Sequence, residues 1–306
     1  MTNVVLHVGL LLLFPPLLLG VIGKTKAFFA GRVGPPVLQT YFDVWRLLGK
    51  GAVYSRTTTW VFRAGPVVAL AATLCAGLLV PTFSGRAPLA FEGDVLLLAY
   101  LFGLGRFFTM AAALDTGSSF EGMGASREAT FSALAEPALL LAIAILCVPS
   151  GHVSFAEGFG ALPWGTWGPS HPAYPAAAIA LFIVLLAENS RIPVDDPNTH
   201  LELTMVHEVM VLDHSGPDLA FILYGSAVKL YVLGSLLVQL LVPIPEAGGW
   251  GGLALSCGGQ VGIALAIGVL ESCMARLRLP RVPQFLVGAS VVAALGLATF
   301  LYRGAP

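Results

Sequence analysis

Acidic side chains and histidines crowd one short segment of the sequence, ENSRIPVDDPNTHLELTMVHE, which runs from position 188 to position 208. The segment holds five carboxylates and two histidines but one arginine, and it lies between two long apolar runs. A carboxylate in apolar surroundings has a raised pKa and is suited to proton exchange. The titratable members of this segment are Glu188, Asp195, Asp196, His200, Glu202, His207 and Glu208.

Prolines and a capping pattern predict the local structure of this acidic segment. Pro193 and Pro197 exclude a regular helix through RIPVDDPN. Thr199 and Glu202 then fit a capping box, which predicts a helix that continues to about His214. A helix of about 15 residues is roughly 22 Å long, too short to cross a membrane. Its two histidines lie about 10.5 Å apart along the axis, so we predict no metal site there.

Three ionisable residues interrupt apolar runs elsewhere in the chain: Arg106, Glu136 and Lys229. Such residues are costly inside a membrane and usually serve function. A static pair between helices, for instance Arg106 with Glu136, is the structural alternative. Together with the acidic segment, however, these charges predict a buried proton path whose mouth is the segment itself.

Composition identifies the elements that must position these charges. The chain is 57% hydrophobic and 11% charged over 306 residues, whereas soluble domains have about 25% charged residues. Several apolar runs reach the roughly 20 residues that a helix needs to cross a bilayer. We predict an all-α, polytopic membrane protein forming one integral membrane domain over 1–306. The eight predicted spans are 4–23, 64–81, 91–114, 131–149, 174–188, 219–242, 250–274 and 284–302.

The distribution of basic residues predicts the orientation of these spans. Loops after odd-numbered spans hold twelve Lys or Arg residues, and the opposite side holds two. Because cytoplasmic loops are enriched in such residues, we predict that both termini lie outside. Lysines follow the first apolar run instead of preceding it, so this run is interpreted as a retained span, not a signal peptide. The twelve are Lys24, Lys26, Arg32, Arg46, Lys50, Arg56, Arg63, Arg127, Arg191, Arg276, Arg278 and Arg281, against Arg86 and Arg303.

The first cytoplasmic loop contains VLQTYFDVWRLLGK, with aromatic and leucine side chains at helical spacing. Trp and basic residues in such a pattern indicate an amphipathic helix at the membrane interface. The four cysteines lie singly, without a C-x-x-C pair, so no iron–sulfur or zinc ligation by this chain is expected. The lipid bilayer is the expected surrounding, and no nucleic-acid partner is expected.

Taken together, these sequence features resemble those of the membrane subunit of respiratory complex I that forms the quinone site. They also resemble those of the matching subunits of formate hydrogenlyase and other energy-converting [NiFe] hydrogenases. The stretches that carry this resemblance are GRVGPPVLQTYFDVWRLLGK, EGMGASREATFSALAEP, AENSRIPVDDPNTHLELTMVHEVMVLDHSGPDLA and ARLRLPRVPQFL. The family pattern Glu-x-x-Arg-x-Pro-x-Asp is met by Glu188, Arg191, Pro193 and Asp195.

Other positions place the resemblance nearer to the hydrogenase branch. The quinone-reducing branch usually continues with Phe-Asp-Leu and further glutamates. Val194, Asp196, Asn198 and His200 stand at those positions here. Glu202 falls on a family glutamate, while Arg127 and Glu136 match the arginine and buried glutamate of the family.

The resemblance implies a membrane protein without a catalytic residue or redox centre of its own. Partner subunits would carry the [NiFe] and [4Fe-4S] centres, and antiporter-like subunits would adjoin it in a bacterial or archaeal cytoplasmic (inner) membrane. The implied proton-path and coupling residues are Arg106, Arg127, Glu136, Glu188, Arg191, Asp195, Glu202, Glu208 and Lys229. The subunits with these metal centres would form a peripheral arm outside the membrane. The residues expected to contact this arm are Arg32, Gln39, Asp43, Arg46, Asp196, His200 and His207.

Three alternatives stay open from the sequence. The chain could be a quinone-reducing complex I subunit, although the segment after Pro193 disfavours this. It could be a secondary transporter, although we find no internal repeat of the kind usual in that class. It could also belong to a related complex in which the large partner chain no longer binds nickel. The sequence does not decide between H⁺ and Na⁺ as the transported ion.

Overall fold

Helices account for every regular element in the part of the chain that the structure describes. The computed structural model describes residues 2–162, 172–195, 205–242, 244 and 249–303. Asp196, His200 and Glu202 lie outside these ranges. The helices are α1 (Thr2–Leu13), α2 (Pro15–Phe29), α3 (Gln39–Leu48), α4 (Trp60–Leu79), α5 (Asp94–Asp115), α6 (Ser119–Cys147), α7 (Phe155–Gly160), α8 (Ala173–Glu188), α9 (Gly216–Leu241), α10 (Trp250–Cys273) and α11 (Val282–Arg303).

The predicted all-α membrane architecture is confirmed. Among the described residues, six helices are long and apolar enough to cross a membrane: α4, α5, α6, α9, α10 and α11. The α1–α2 pair would add a seventh span, and α8 is shorter, at 16 residues. The count of eight spans and the orientation of the termini stay predictions. Helix α6 begins twelve residues before the predicted span at 131, so its first turns carry Arg127.

The first predicted span, 4–23, is not one straight helix, because α1 and α2 meet at a bend of 45°. Pro15 and Pro16 cause the break, since proline lacks the N–H group that a continuous helix requires. The carbonyl oxygens left without helical partners are used by other helices. Leu12 accepts a hydrogen bond from the Tyr224 hydroxyl of α9 at 2.7 Å. Leu13 accepts one from the Tyr41 hydroxyl of α3.

Helix α9 occupies the centre of the bundle. Within its most apolar window 67% of the residues are buried, against 28–44% for the other five long helices. Helices α2, α3, α4, α8 and α10 all pack against it. Gln260 of α10 inserts beside Gly234 and donates to the Ser235 hydroxyl at 2.8 Å and to the Tyr231 carbonyl at 3.0 Å. The central position of α9 brings its charged residue, Lys229, into the protein interior.

The predicted helix of the first loop is confirmed as α3. It covers Gln39–Leu48, and all of its residues retain some exposure. Phe42 and Trp45 are 60% and 81% exposed, which suits a helix that presents aromatic side chains to a membrane interface or a partner.

The predicted helix from Thr199 to His214 is wrong over the residues that the structure describes. Residues 205–214 form turns and one four-residue 3₁₀-helix, Glu208–Val211. The capping box and residues 199–204 lie outside the described part of the chain.

Tertiary hydrogen bonds explain the failure of this helix prediction. The Asp195 carboxylate accepts hydrogen bonds from the backbone N–H groups of Val206 at 3.2 Å and His207 at 3.3 Å. Arg127 donates to the Met205 carbonyl oxygen at 2.8 Å. Backbone groups that an α-helix would pair internally are thus bound by side chains from distant parts of the sequence, and tertiary contacts of this kind override local propensity.

Helices α4 and α5 pack closely together because small residues line their contact. A Cβ atom added at Gly65 of α4 would lie 2.8 Å from the Ala112 methyl group and 3.2 Å from the Phe108 carbonyl oxygen of α5. Both neighbours are rigid, so a larger residue at this position must push the two helices apart.

We expect Gly65→Ala to destabilise the protein by about 1–3 kcal/mol, because overpacking a close helix contact forces the backbone to shift. Gly262→Ala is the matched control, since Gly262 also lies within a long helix but has open space around it. The measurement is thermal unfolding of the detergent-purified protein. Equal midpoints for the two variants would contradict the assigned packing.

Candidate functional site

Arg106 lies at the centre of a buried charge cluster formed by four helices. It extends from α5 and donates to Glu188 Oε1 at the end of α8 at 2.6 Å. Its other terminal nitrogen donates to Glu136 of α6. Lys229 of α9 lies 2.5 Å from the second carboxylate oxygen of Glu188. The structure therefore joins all three ionisable residues predicted inside the spans with one from the acidic segment.

The balance of charge makes this cluster possible. The side chains of Arg106 and Glu188 are only 8% and 4% exposed, whereas Glu136 is 45% exposed towards an apolar groove between α5 and α6. Isolated buried charges are very costly, and close pairing offsets much of that cost. Two cations and two carboxylates sum to zero charge. Gain of one proton by Glu188 would give the cluster a net charge of +1, so its electrostatic balance depends on the protonation of this residue.

A second buried carboxylate, Glu271 of α10, binds two cations. Lys26 of α2 lies 2.8 Å from one oxygen, and Arg191 lies 3.5 Å from the other. The Glu271 side chain is fully shielded from solvent. The predicted coupling residue Arg191 thus contacts an acid outside the predicted set. The signal available in the sequence was the position of Lys26 and Glu271, both near the cytoplasmic ends of their predicted spans.

Asp195 ties the acidic segment to the chain that follows α10. Its carboxylate lies 2.8 Å from Arg276, and its side chain is 4% exposed. The adjacent backbone is held as well, because the Leu277 N–H donates to the Pro193 carbonyl at 2.9 Å. Glu208 is half-buried at the first position of the 3₁₀-helix. These contacts hold the described parts of the segment against the membrane domain.

A cavity with about 90 Å³ of space open to water-sized molecules adjoins the charge cluster. Its lining includes Arg106, Glu188, Lys229, His207 and Glu128. One buried water needs roughly 10–15 Å³ by this measure, so several waters fit among these groups. A smaller space of about 10 Å³, enough for about one water, is lined by Asp195, Glu128 and Glu188. Water can therefore connect Asp195 with the buried cluster.

His207 faces this cavity, although the sequence suggested a role in docking. Burial lowers the pKa of its imidazole, partly offset by the attraction of Glu128, Asp195 and Glu188 for the protonated form. His207 is thus mainly neutral near pH 7 and able to accept a proton. Its proposed contact with a peripheral arm stays a prediction.

The remaining docking residues lie on or near α3. Gln39 donates to Asp43 at 2.9 Å, and Arg46 lies 3.4 Å from the same carboxylate. Arg46 and Arg32 are exposed. This surface is accessible to another subunit, whereas Asp196, His200 and Glu202 lie outside the described residues.

Comparison with known proteins agrees with the architecture. The family model described as NADH dehydrogenase matches residues 2–302. Hydrogenase-4 component C of Escherichia coli strain K12 is 33% identical over 240 residues, which cover 78% of this chain and 74% of that protein. Formate hydrogenlyase subunit 4 of the same strain is 32% identical over 284 residues, 88% of each chain.

More distant similarities extend this relationship. An NADH-quinone oxidoreductase subunit of Neisseria meningitidis serogroup C is 26% identical over 74% of this chain and 64% of that protein. A chain in the structure of the membrane-bound sulfane sulfur reductase, an archaeal respiratory membrane complex, matches with a TM-score of 0.82. It is 23% identical over 97% of this chain and 99% of that chain, a likeness that shows the shared fold.

Replacement of Arg106 by leucine would leave Glu136 and Glu188 close together with Lys229 as their single nearby cation. We expect Arg106→Leu to destabilise the protein by about 3–5 kcal/mol, as when one partner of a buried ion pair is removed. The double variant Arg106→Leu/Glu136→Gln should recover part of this loss, because it also removes a negative charge. Thermal unfolding in detergent measures both effects, and an Arg106→Leu protein as stable as the parent would contradict the assigned pairing.

Proposed function

The chain belongs to the NADH dehydrogenase family, and on that premise we propose that it is the membrane subunit of an energy-converting, hydrogenase-type complex. In this role it anchors a peripheral redox arm to the membrane and couples electron transfer to ion movement. The chain itself carries out no redox step. The chemistry of this subunit is the movement of charge among its buried acids and bases.

Sequence similarity supports the hydrogenase-type assignment over a quinone-reducing one. The two relatives from hydrogenase-4 and formate hydrogenlyase are 33% and 32% identical, against 26% for the NADH-quinone oxidoreductase subunit. The residues Val194, Asp196, Asn198 and His200, at positions where the quinone-reducing branch differs, support the same choice.

The coupling role is supported chiefly by the position of Glu188 between Arg106 and Lys229 beside a cavity that can hold water. When Glu188 is ionised, it attracts both cations. When it takes up a proton, it becomes neutral. Arg106 then retains Glu136 as a partner, but Lys229 loses the attraction of Glu188, and its repulsion by Arg106 is less compensated in a medium of low dielectric constant. Protonation of one carboxyl group therefore changes the forces between α5, α8 and α9, a physical link between proton uptake and helix arrangement.

The proposed partners follow from this role. The exposed surface of α3, with Arg32 and Arg46, is suited to contact peripheral subunits that carry [NiFe] and [4Fe-4S] centres. Antiporter-like subunits are the proposed neighbours within the bacterial or archaeal cytoplasmic membrane. The groove in which Glu136 is partly exposed supports such a neighbour, because a carboxylate is costly to leave against lipid.

Metal analysis of the intact complex, purified under mild conditions through a tag on this chain, tests the assignment. We expect about one nickel per copy of this chain together with iron, as a partner [NiFe] site requires. The co-purified chains are identified by mass spectrometry of the same sample. Iron without nickel would contradict the hydrogenase assignment and favour a quinone-reducing or nickel-free complex.

Glu188→Gln tests the coupling role, because glutamine keeps the shape of the side chain but cannot carry the proton or the charge. We expect the number of protons moved per electron transferred to fall by about tenfold or more. Glu157→Gln, at an exposed position far from the cluster, is the control. The measurement uses liposomes that contain the complex and a trapped pH-sensitive dye, with reduced methyl viologen as electron donor. An unchanged ratio in Glu188→Gln would contradict the coupling role.

A further inference from the structure

Glu128 of α6 lies where the larger and the smaller of the two cavities described above meet. Its side chain lines both of them, and Glu188 and Ser190 are the other residues shared by the two linings. The Ser132 hydroxyl, one helical turn further on, donates to its carboxylate at 3.3 Å. Glu128 therefore faces Asp195 across the smaller space and the Glu188–Lys229 pair across the larger one.

Structural ion pairing does not account for Glu128. Within the described ranges, Glu136, Glu188 and Glu271 each have a Lys or Arg within salt-bridge distance, but Glu128 has none. A half-buried carboxylate without a basic partner gains little stability from its charge. Its position instead allows it to exchange protons with water in both cavities.

His207 lines the larger cavity together with Glu128, whose charge acts on its imidazole. The charged groups near its imidazole are Glu128 on α6, Lys229 on α9, Asp195 in the acidic segment and Glu188 at the end of α8. Its backbone N–H is held by the Asp195 carboxylate at 3.3 Å. A neutral imidazole held beside a carboxylate and a water-sized space is well placed to accept and return protons.

We propose that Glu128 and His207 form a proton-transfer pair that connects water at the acidic segment with the Glu188–Lys229 ion pair. The proposal rests on the coupling function above and assigns the transfer to two residues outside the predicted proton path. Glu128 stands at the junction of the cavities, and His207 is the neutral base beside it.

One complete cycle of this relay moves one proton and returns Glu128 and His207 to their starting protonation states. Water in the smaller space takes up a proton from water at the acidic segment as it gives one to the Glu128 carboxylate, which becomes a neutral acid. A water in the larger cavity, which both residues line, takes that proton from Glu128 as it gives one to the His207 imidazole, forming imidazolium. His207 then gives a proton to water in the larger cavity as that water gives one to Glu188. Glu128 and His207 return to the carboxylate and neutral imidazole, and the proton now resides on Glu188.

The test uses the intact complex in liposomes with a trapped pH dye and reduced methyl viologen. Glu128→Gln should lower the number of protons moved per electron by about tenfold or more, because the amide cannot carry a proton. Glu128→Asp, which retains a carboxylate, should recover at least about half of the original ratio. The double variant Glu128→Gln/His207→Gln should be no worse than Glu128→Gln, since both residues serve one relay. Glu157→Gln is again the control.

The outcomes separate this inference from the proposed function. A normal ratio in Glu128→Gln, with a low ratio in Glu188→Gln, overturns the relay but leaves the coupling role intact. Protons then pass directly between Asp195 and Glu188 through the smaller space. Normal ratios in both variants contradict the coupling role as well.

His207→Gln decides the matter if Glu128→Gln does not assemble. We expect its ratio to fall by about fivefold or more, and its dependence on pH below about 6.5 to become flatter, because burial lowers the pKa of this imidazole from its ordinary value near 6.5. A parent-like ratio and pH profile in His207→Gln would overturn the pair.

Discussion

The attraction of Arg106 for two carboxylates is the constraint on which the arrangement of the charged site depends. One guanidinium group contacts Glu136 and Glu188 from separate helices, and Lys229 neutralises the remaining charge. In a low-dielectric interior none of these side chains can be left unpaired at small cost. Helices α5, α6, α8 and α9 must therefore approach closely at the height of this charge cluster. Apolar contacts alone would not fix the height along the helices at which they meet.

A second consequence of buried charge concerns the segment between α8 and α9. Asp195 binds Arg276 and two backbone N–H groups, and Arg127 binds the carbonyl of Met205. These contacts hold the described parts of the segment, 189–195 and 205–215, against the bundle, where Ser190 and His207 line the larger cavity. Asp195 and Val206 thus also line the smaller cavity beside Glu188. Local rearrangement of the segment changes the space and the electric field around that carboxylate directly.

Much of this organisation could be predicted from the sequence because its signals are local. Long apolar runs predicted the helices, the pattern of α3 predicted an amphipathic helix, and Arg106, Glu136 and Lys229 were conspicuous as charges in apolar surroundings. The conformation of residues 205–214 could not be predicted, because Asp195 and Arg127 form hydrogen bonds with backbone groups that would pair with each other in a local helix. Glu128 could not be singled out from the sequence, because it precedes the predicted span 131–149. Only the structure shows that it lines both cavities. The pairing of Glu271 with Lys26 likewise depends on contact between α2 and α10.

The bend between α1 and α2 joins the first span to α3 and α9 through hydrogen bonds between residues that are distant in sequence. Pro16 has no N–H for the Leu12 carbonyl, and beyond the break the Leu17 N–H binds Phe14 and not Leu13. The hydroxyls of Tyr224 and Tyr41 supply the missing hydrogen bonds. Loss of either hydroxyl would leave the corresponding carbonyl without the donor that replaces its helical one. A shift of the first span along α3 or α9 would break these hydrogen bonds, so the bend fixes the position of α1 against both helices.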